Sequence, residues 1–270
     1  MKYAFCNELF GDRPFEEAFR VARDLGYTGI EIAPFTLAKD AHAVTPEQRE
    51  SVKRLVADLG MEVVGLHWLL AKTEGYYLTS PDADLRRRTG EYLATLTHLC
   101  ADLGGTLMVL GSPVQRNLLP GVTHEQAMEY AADAIRFAVP ALTERGITLA
   151  LEPLGPKEGN FLNTAASGIE LAQMIDSPQV RLHLDVKAMS TEAISIPDIL
   201  RASAPWMAHF HANDPNLLGP GMGEVDFVPI FAALKEIAYD GWVSVEVFDY
   251  APGPERILAE SMACMRRCVG

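Results

Sequence analysis

Nowhere does the 270-residue sequence run apolar for about 18 residues, the length a helix needs to cross a bilayer, so no membrane insertion is expected. Basic residues are few beside acidic ones, 23 Lys and Arg against 36 Asp and Glu, and the formal charge of −13 with a pI near 5.0 would repel a polyanion. DNA and RNA are thereby excluded as expected partners. Cysteine is sparse: Cys6, Cys100, Cys264 and Cys268 form no Cys-x-x-Cys pair, and the start Met1-Lys2-Tyr3-Ala4-Phe5 lacks the long apolar core of a secretory signal. We expect a cytoplasmic chain with reduced thiols, in which Cys264 and Cys268 are small buried hydrophobes rather than metal ligands. Aromatic residues make up only 8% against 49% hydrophobic, and no low-complexity tract or long linker divides the chain, so a single domain over residues 1–270 is expected.

What the sequence does contain is alternation. Strand-like runs and helical patterns follow one another from end to end: Tyr3–Cys6 then Phe15–Leu25, Gly29–Ile32 then Pro46–Leu59, Glu62–His67 then Asp82–Leu103, Thr106–Leu110 then Thr123–Arg145. The second half continues with Ile147–Glu152 and Thr164–Ile175, Val180–Asp185 and Ile196–Ser203, Met207–His211 and Phe227–Ile237, Trp242–Glu246 and Gly253–Cys268. Parallel strands need helical crossovers, and eight such units in a chain near ~250 residues predict an α/β fold closed as one (β/α)8 TIM barrel, with the active site at its C-terminal mouth. An open doubly wound sheet is the alternative. Thr45-Pro46-Glu47-Gln48 resembles a capping box, and Gly26, Gly60, Gly104, Gly146 and Gly241 stand where left-handed helix stops are expected.

Four of the later runs end on a potential metal ligand: Glu152, Asp185, His211 and Glu246. Side chains alternate along a strand, so if Glu152 faces inward, Thr148 and Ala150 do too, while Ile147, Leu149 and Leu151 pack outward. The same parity puts His183 and Arg181 inside with Asp185, His209 and Met207 with His211, and Ser244 and Trp242 with Glu246. Every complementary outward set is apolar. Two Glu, one Asp and one His make a hard, oxygen-rich donor set suited to Mn2+, with Mg2+ or Co2+ as alternatives, and three carboxylates aimed at one another would repel without a cation.

On these residues the chain resembles the xylose-isomerase-like barrel family of sugar isomerases and epimerases, and within it the ketose 3-epimerases acting on D-tagatose and D-psicose (allulose). The resemblance covers the whole chain and is carried by Leu151-Glu152-Pro153, the Glu158 to Asn163 segment, Leu184-Asp185, His209-Phe210-His211 and Val245-Glu246. It implies a metal-dependent isomerase in which Glu152, Asp185, His211 and Glu246 hold one divalent ion. Glu152 and Glu246 would exchange protons with a sugar substrate through a cis-enediolate, and Glu158 would orient it. It also implies a homodimer or homotetramer.

The chain departs from that pattern in two places. The family's His three residues after the metal-binding Asp is Ala188 here, and the Arg in the loop after the metal-binding His is missing from Ala212-Asn213-Asp214-Pro215-Asn216-Leu217. This widens the expected substrates to a 3-keto sugar or glycoside, hydroxypyruvate or an inosose-like ketone. Lys187, inward with Asp185, is placed to replace the lost donor and, beside carboxylates, should stay protonated rather than form a Schiff base. Glu31 and His67, ending the second and third strands, are expected to contact substrate, with Trp68 walling the pocket, whereas His42, His98 and His124 are read as surface residues. Gly219-Pro220-Gly221-Met222-Gly223 has no neighbouring Lys or Arg, so we read it as a flexible barrel loop rather than a phosphate cradle and expect a non-phosphorylated substrate. Multi-zinc repair endonucleases on the same barrel are opposed by the acidic charge, and a catalytically inactive sugar-binding barrel by the intact Glu152 and Glu246.

Overall fold

Each apolar run forms a strand that pairs with the next in parallel, and the eighth closes on the first. The computed structural model describes residues 1–269. Its strands are β1 (Lys2–Cys6), β2 (Gly29–Ile32), β3 (Glu62–Leu66), β4 (Leu107–Leu110), β5 (Thr148–Leu151), β6 (Val180–Asp185), β7 (Met207–Ala212) and β8 (Trp242–Val245). Around them lie α1 (Phe15–Asp24), α2 (Pro46–Asp58), α3 (Ala83–Leu103), α4 (His124–Arg136), α5 (Val139–Arg145), α6 (Ala165–Ile175), α7 (Val186–Met189), α8 (Ile196–Ser203), α9 (Phe227–Glu236) and α10 (Pro254–Val269). The closed barrel, not the open sheet, is the architecture.

Local chemistry sets the helix ends. The Thr45 hydroxyl accepts from Gln48 N at 3.2 Å while Gln48 Oε1 accepts from Thr45 N at 2.9 Å, a reciprocal cap repeated by Thr123 with Gln126 ahead of α4. Gly26, Gly60, Gly104 and Gly146 hold the expected left-handed backbone. Gly241 does not. Ala238 takes the left-handed position after α9 at φ 54°, and Gly241 instead leaves room for the Tyr239 ring, whose hydroxyl would lie 2.6 Å from a Cβ there. The single helix expected over Thr123–Arg145 is two, because Pro140 supplies no N–H and the helix restarts with it in the first turn of α5.

The alternation along β5, β6 and β8 is as the pattern dictates. Leu149, Leu151, Leu182, Leu184, Val243 and Val245 join the layer between barrel and helices, while Ala150 packs inside with Ala4, Val64, Leu107 and Val109. On β7 the expectation for Met207 fails. The ladder with β6 slips, pairing Leu182 with Met207 but His183 with His209, so Met207 packs with the outer layer and Ala208 with the interior cluster. His209 and His211 nevertheless keep their register opposite His183 and Asp185. Trp242 also packs on that interior cluster, and its ring occupies the space beside Gly29, where a Cβ would meet it at 2.4 Å.

Candidate active site

Strand-end positions and close backbone packing deliver the acidic groups. Glu152 follows β5 directly and is buried, with its carboxylate laid over Gly111, the residue after β4. A Cβ at 111 would stand 1.5 Å from Glu152 Oε2, so only glycine permits this approach. Changing Gly111 to alanine is therefore expected to push the carboxylate aside and lower turnover about 10²-fold, with little change in melting temperature; equal kinetics would show the carboxylate position to be unimportant.

Asp185 ends β6 and caps α7, its Oδ1 accepting from Ala188 N at 2.7 Å and its Oδ2 from the amide of Asn213. His211 sits between two carboxylates. Its Nδ1 is 3.1 Å from Glu246 Oε2, and its Nε2 lies 3.1 Å from Glu31 Oε2. Glu31 also meets His209 Nε2 at 2.5 Å. One ligand atom each from Glu152, His183, Asp185 and His211 lie within 4.8 Å of one another, which brings three of the four expected ligands together and adds His183; Glu246 adjoins them through His211. The sequence placed His183 inside the barrel with Asp185 but not among the expected ligands. Both of its ring nitrogens are buried without a hydrogen-bond partner, as is Glu246 Oε1.

The electrostatics follow from burial without enough positive charge. Burial, reinforced by Glu246 and Asp185, holds the Glu152 carboxyl well above the usual range. Burial pushes Asp185 up to about 6 despite the opposing pull of Lys187. Glu246 and Glu31 are held below the ordinary value because, against the effect of burial, His211 faces the first and His209 with His211 faces the second. Burial together with His211 and His209 keeps His183 neutral. Crowded carboxylates, a neutral imidazole and unpartnered buried ligand atoms fit a divalent cation.

Above this cluster a cavity of about 310 Å3 has Glu152, Glu246, Glu158, Trp68 and Phe248 in its walls. Trp68 adopts a left-handed backbone, φ 52°, uncommon for an aromatic residue, and its ring stacks on Phe248 at 6.0 Å. Lys187 Nζ pairs with Glu158 Oε1 at 2.6 Å. Against burial, Asp185 and Glu158 raise its pKa, so it stays an ammonium. Glu31 and His67 do not line this cavity: Glu31 is locked behind the histidines, and His67 Nε2 lies 2.6 Å from Glu8 Oε2. The Gly219–Gly223 loop is pinned rather than free, since Asn216 donates to Met222 O, and Gly219 and Gly221 lie against Ser261 and Cys264 of α10.

Sequence reasoning missed Arg116, Cys6, Glu8 and Phe248. Arg116, 2% exposed, donates from Nη1 to Glu152 O at 2.7 Å and braces that backbone, and burial lowers its pKa to about 10. Of these only Cys6 carries a sequence signal of the kind that marks Glu152 and Asp185, a position at the end of a strand, β1, and its Sγ lies 3.9 Å from His211 Nε2.

The Synechocystis sp. protein named probable ketose 3-epimerase is 27% identical to this chain over 92% of it and 83% of the relative's length. The 3-dehydro-D-guloside 4-epimerase of Escherichia coli is 24% identical over 99% of this chain and 100% of its own. The crystal structure of D-psicose 3-epimerase with D-tagatose from Clostridium cellulolyticum superposes with a TM-score of 0.84 over 100% of this chain and 98% of that one, at 21% identity, a likeness of fold. The xylose isomerase-like TIM barrel pattern matches residues 19–268, nearly the whole closed barrel, and the chain belongs to that family.

Proposed function

We propose that this chain is a divalent-metal-dependent epimerase that inverts the carbon beside the ketone of a non-phosphorylated ketose or keto sugar, with C3 of a ketose as the first choice. The observation that carries the reading is that Glu152 and Glu246, from β-strand ends on different sides of the barrel, both line one small cavity with buried metal-type donors beside them. The relatives named as ketose 3-epimerases support the isomerase class and a sugar substrate.

Glu152, Asp185, His211 and Glu246 would hold the ion, with His183 adjacent and Glu31 fixing the far nitrogen of His211, as carboxylates behind metal-bound histidines do. Such a cation supplies polarisation of the ketone and screening of the carboxylates. The protein's own groups move the protons. One glutamate removes the hydrogen on the carbon next to the carbonyl, the electron pair passes to the carbonyl oxygen as an enediolate, and the other glutamate, in its acid form, returns a proton to the opposite face. Their roles exchange with the direction of reaction. Glu158, held by Lys187, and the Trp68 ring position the sugar. Lys187 carries one charge already paired with Glu158, and the glycine loop spends its contacts on α10, so neither offers a phosphate site.

The test is solvent deuterium exchange, followed by proton NMR, across a panel of free ketoses, keto-glycosides, hydroxypyruvate and inososes. Exchange at the carbon beside the ketone with appearance of the epimer is expected. Conversion of a ketose into an aldose, or hydroxypyruvate as the sole substrate, would replace epimerisation by isomerisation at the same site.

A further inference from the structure

The two glutamates that line the small cavity are mounted differently. Glu246 is held through its carboxylate, where His211 Nδ1 meets Oε2 at 3.1 Å and Oε1 is left without a partner. Glu152 is held through its main chain. Its N–H donates to Leu110 O at 3.3 Å, and its carbonyl, one residue past the end of β5 and just ahead of Pro153, accepts from Arg116 Nη1 at 2.7 Å. Arg116 Nη1 also lies 3.4 Å from Leu110 O, so one guanidinium ties both peptide groups flanking the Glu152 side chain to the end of β4. That fixes the direction in which the side chain leaves the backbone and lays its carboxylate over Gly111.

Arg116 is a costly means to this end. Its guanidinium is 2% exposed, its hydrogen bonds go to uncharged carbonyls, and its Nη2 is buried with no partner. An apolar side chain of similar volume would fill the place without burying a charge. The loop that carries Arg116 is clamped on both sides. Leu78 N donates to Gln115 O and Thr79 Oγ1 to Asn117 O, each at 2.7 Å, while Asn160 N donates to Asn117 Oδ1 at 3.0 Å and Leu118 N to Asn160 Oδ1 at 2.8 Å. A buried polar group left unsatisfied on a fixed support beside a reacting group is where local stability yields to function.

We infer that Arg116 is a positioning residue for one half of the reaction alone: it sets the Glu152 carboxylate and leaves Glu246 to its own support. The inference rests on the two-glutamate epimerase reading for what Glu152 does. Its kinetic consequence differs from that of a general structural role. The equilibrium constant between two epimers is fixed, so kcat/KM for conversion falls by the same factor in both directions in any variant. Cleavage of the C–H bond is not so constrained. A loosened Glu152 slows cleavage in the epimer whose hydrogen faces it, while Glu246 still removes and returns the hydrogen of the other.

The test follows C–H cleavage in each epimer by proton NMR in deuterium oxide, as deuterium washed into recovered substrate plus deuterium delivered in product. Glu246→Gln, with Glu152 as the surviving base, identifies the epimer that faces Glu152. In Arg116→Met, cleavage in that epimer is expected to fall about 10²-fold, the loss caused by a misplacement of about 1 Å, while cleavage in the other is nearly unchanged. Arg116→Lys keeps a cation without the guanidinium fork and is expected to lie between wild type and Arg116→Met. If Arg116→Met does not fold, Arg116→Lys carries the test and must show the same bias in weaker form. Equal losses in the two epimers, no loss in either, or a bias against the epimer facing Glu246 each overturns the inference. If wild type cleaves no C–H bond in any ketone, the epimerase reading fails and crystal structures of wild type and variants decide: a Glu152 carboxylate moved off Gly111 with Glu246 in place upholds the positioning role, and an unmoved one overturns it.

Discussion

Replacing Glu152 or Glu246 by glutamine is expected to lower turnover about 10²–10⁴-fold, the usual contribution of one positioned acid or base. Glutamine keeps the shape and one oxygen, so ion and ligand binding should survive in both variants. The more selective outcome is a partial reaction. A variant retaining one carboxylate can still remove and return a proton on its own face, washing deuterium into one epimer without converting it. A carboxylate on the rim of a binding protein would give no such exchange. Wild-type turnover in both glutamine variants would sink the two-base mechanism.

Stripping the site with a chelator should abolish activity and lower the melting temperature, with Mn2+ restoring both. The reason lies in the electrostatics of the protein groups themselves: burial and mutual repulsion hold Glu152 and Asp185 above their ordinary carboxyl values, while His183 is neutral and offers no countercharge. An ion bound only by the folded state adds stability by mass action, so scanning calorimetry with and without chelator reads the effect directly. An unchanged melting temperature, together with no ion taken up from saturating Mn2+, would leave these carboxylates a purely protein network.

The strand-end groups were legible because a barrel strand repeats every two residues and ends at a defined face. Once Glu152, Asp185, His211 and Glu246 were read at equivalent positions, their convergence followed from strand geometry. The same rule brought Glu31 and His67 inward. It did not reveal that Glu31 lies behind His209 and His211, or that His67 pairs with Glu8, because those contacts depend on how neighbouring strands are staggered. Met207 shows the limit clearly: one slip in the β6–β7 ladder reversed its side while leaving His209 and His211 in place. Arg116 was unreadable for another reason. It reaches Glu152 O from the irregular loop after β4, where no period links sequence to direction.

The Trp242 ring filling the space that Gly29 leaves free carries a consequence for how this barrel can change over generations. Any side chain at 29 collides with the indole, whereas shrinking Trp242 alone leaves a void against Ala4, Val64 and Ala150 at the end of the barrel away from the mouth. Each single step is costly and the pair together is compensating, so the two positions form one inherited unit. At the end of the barrel away from the mouth, residues 29 and 242 can therefore be exchanged at low cost only as a pair, a larger side chain at one for a smaller at the other.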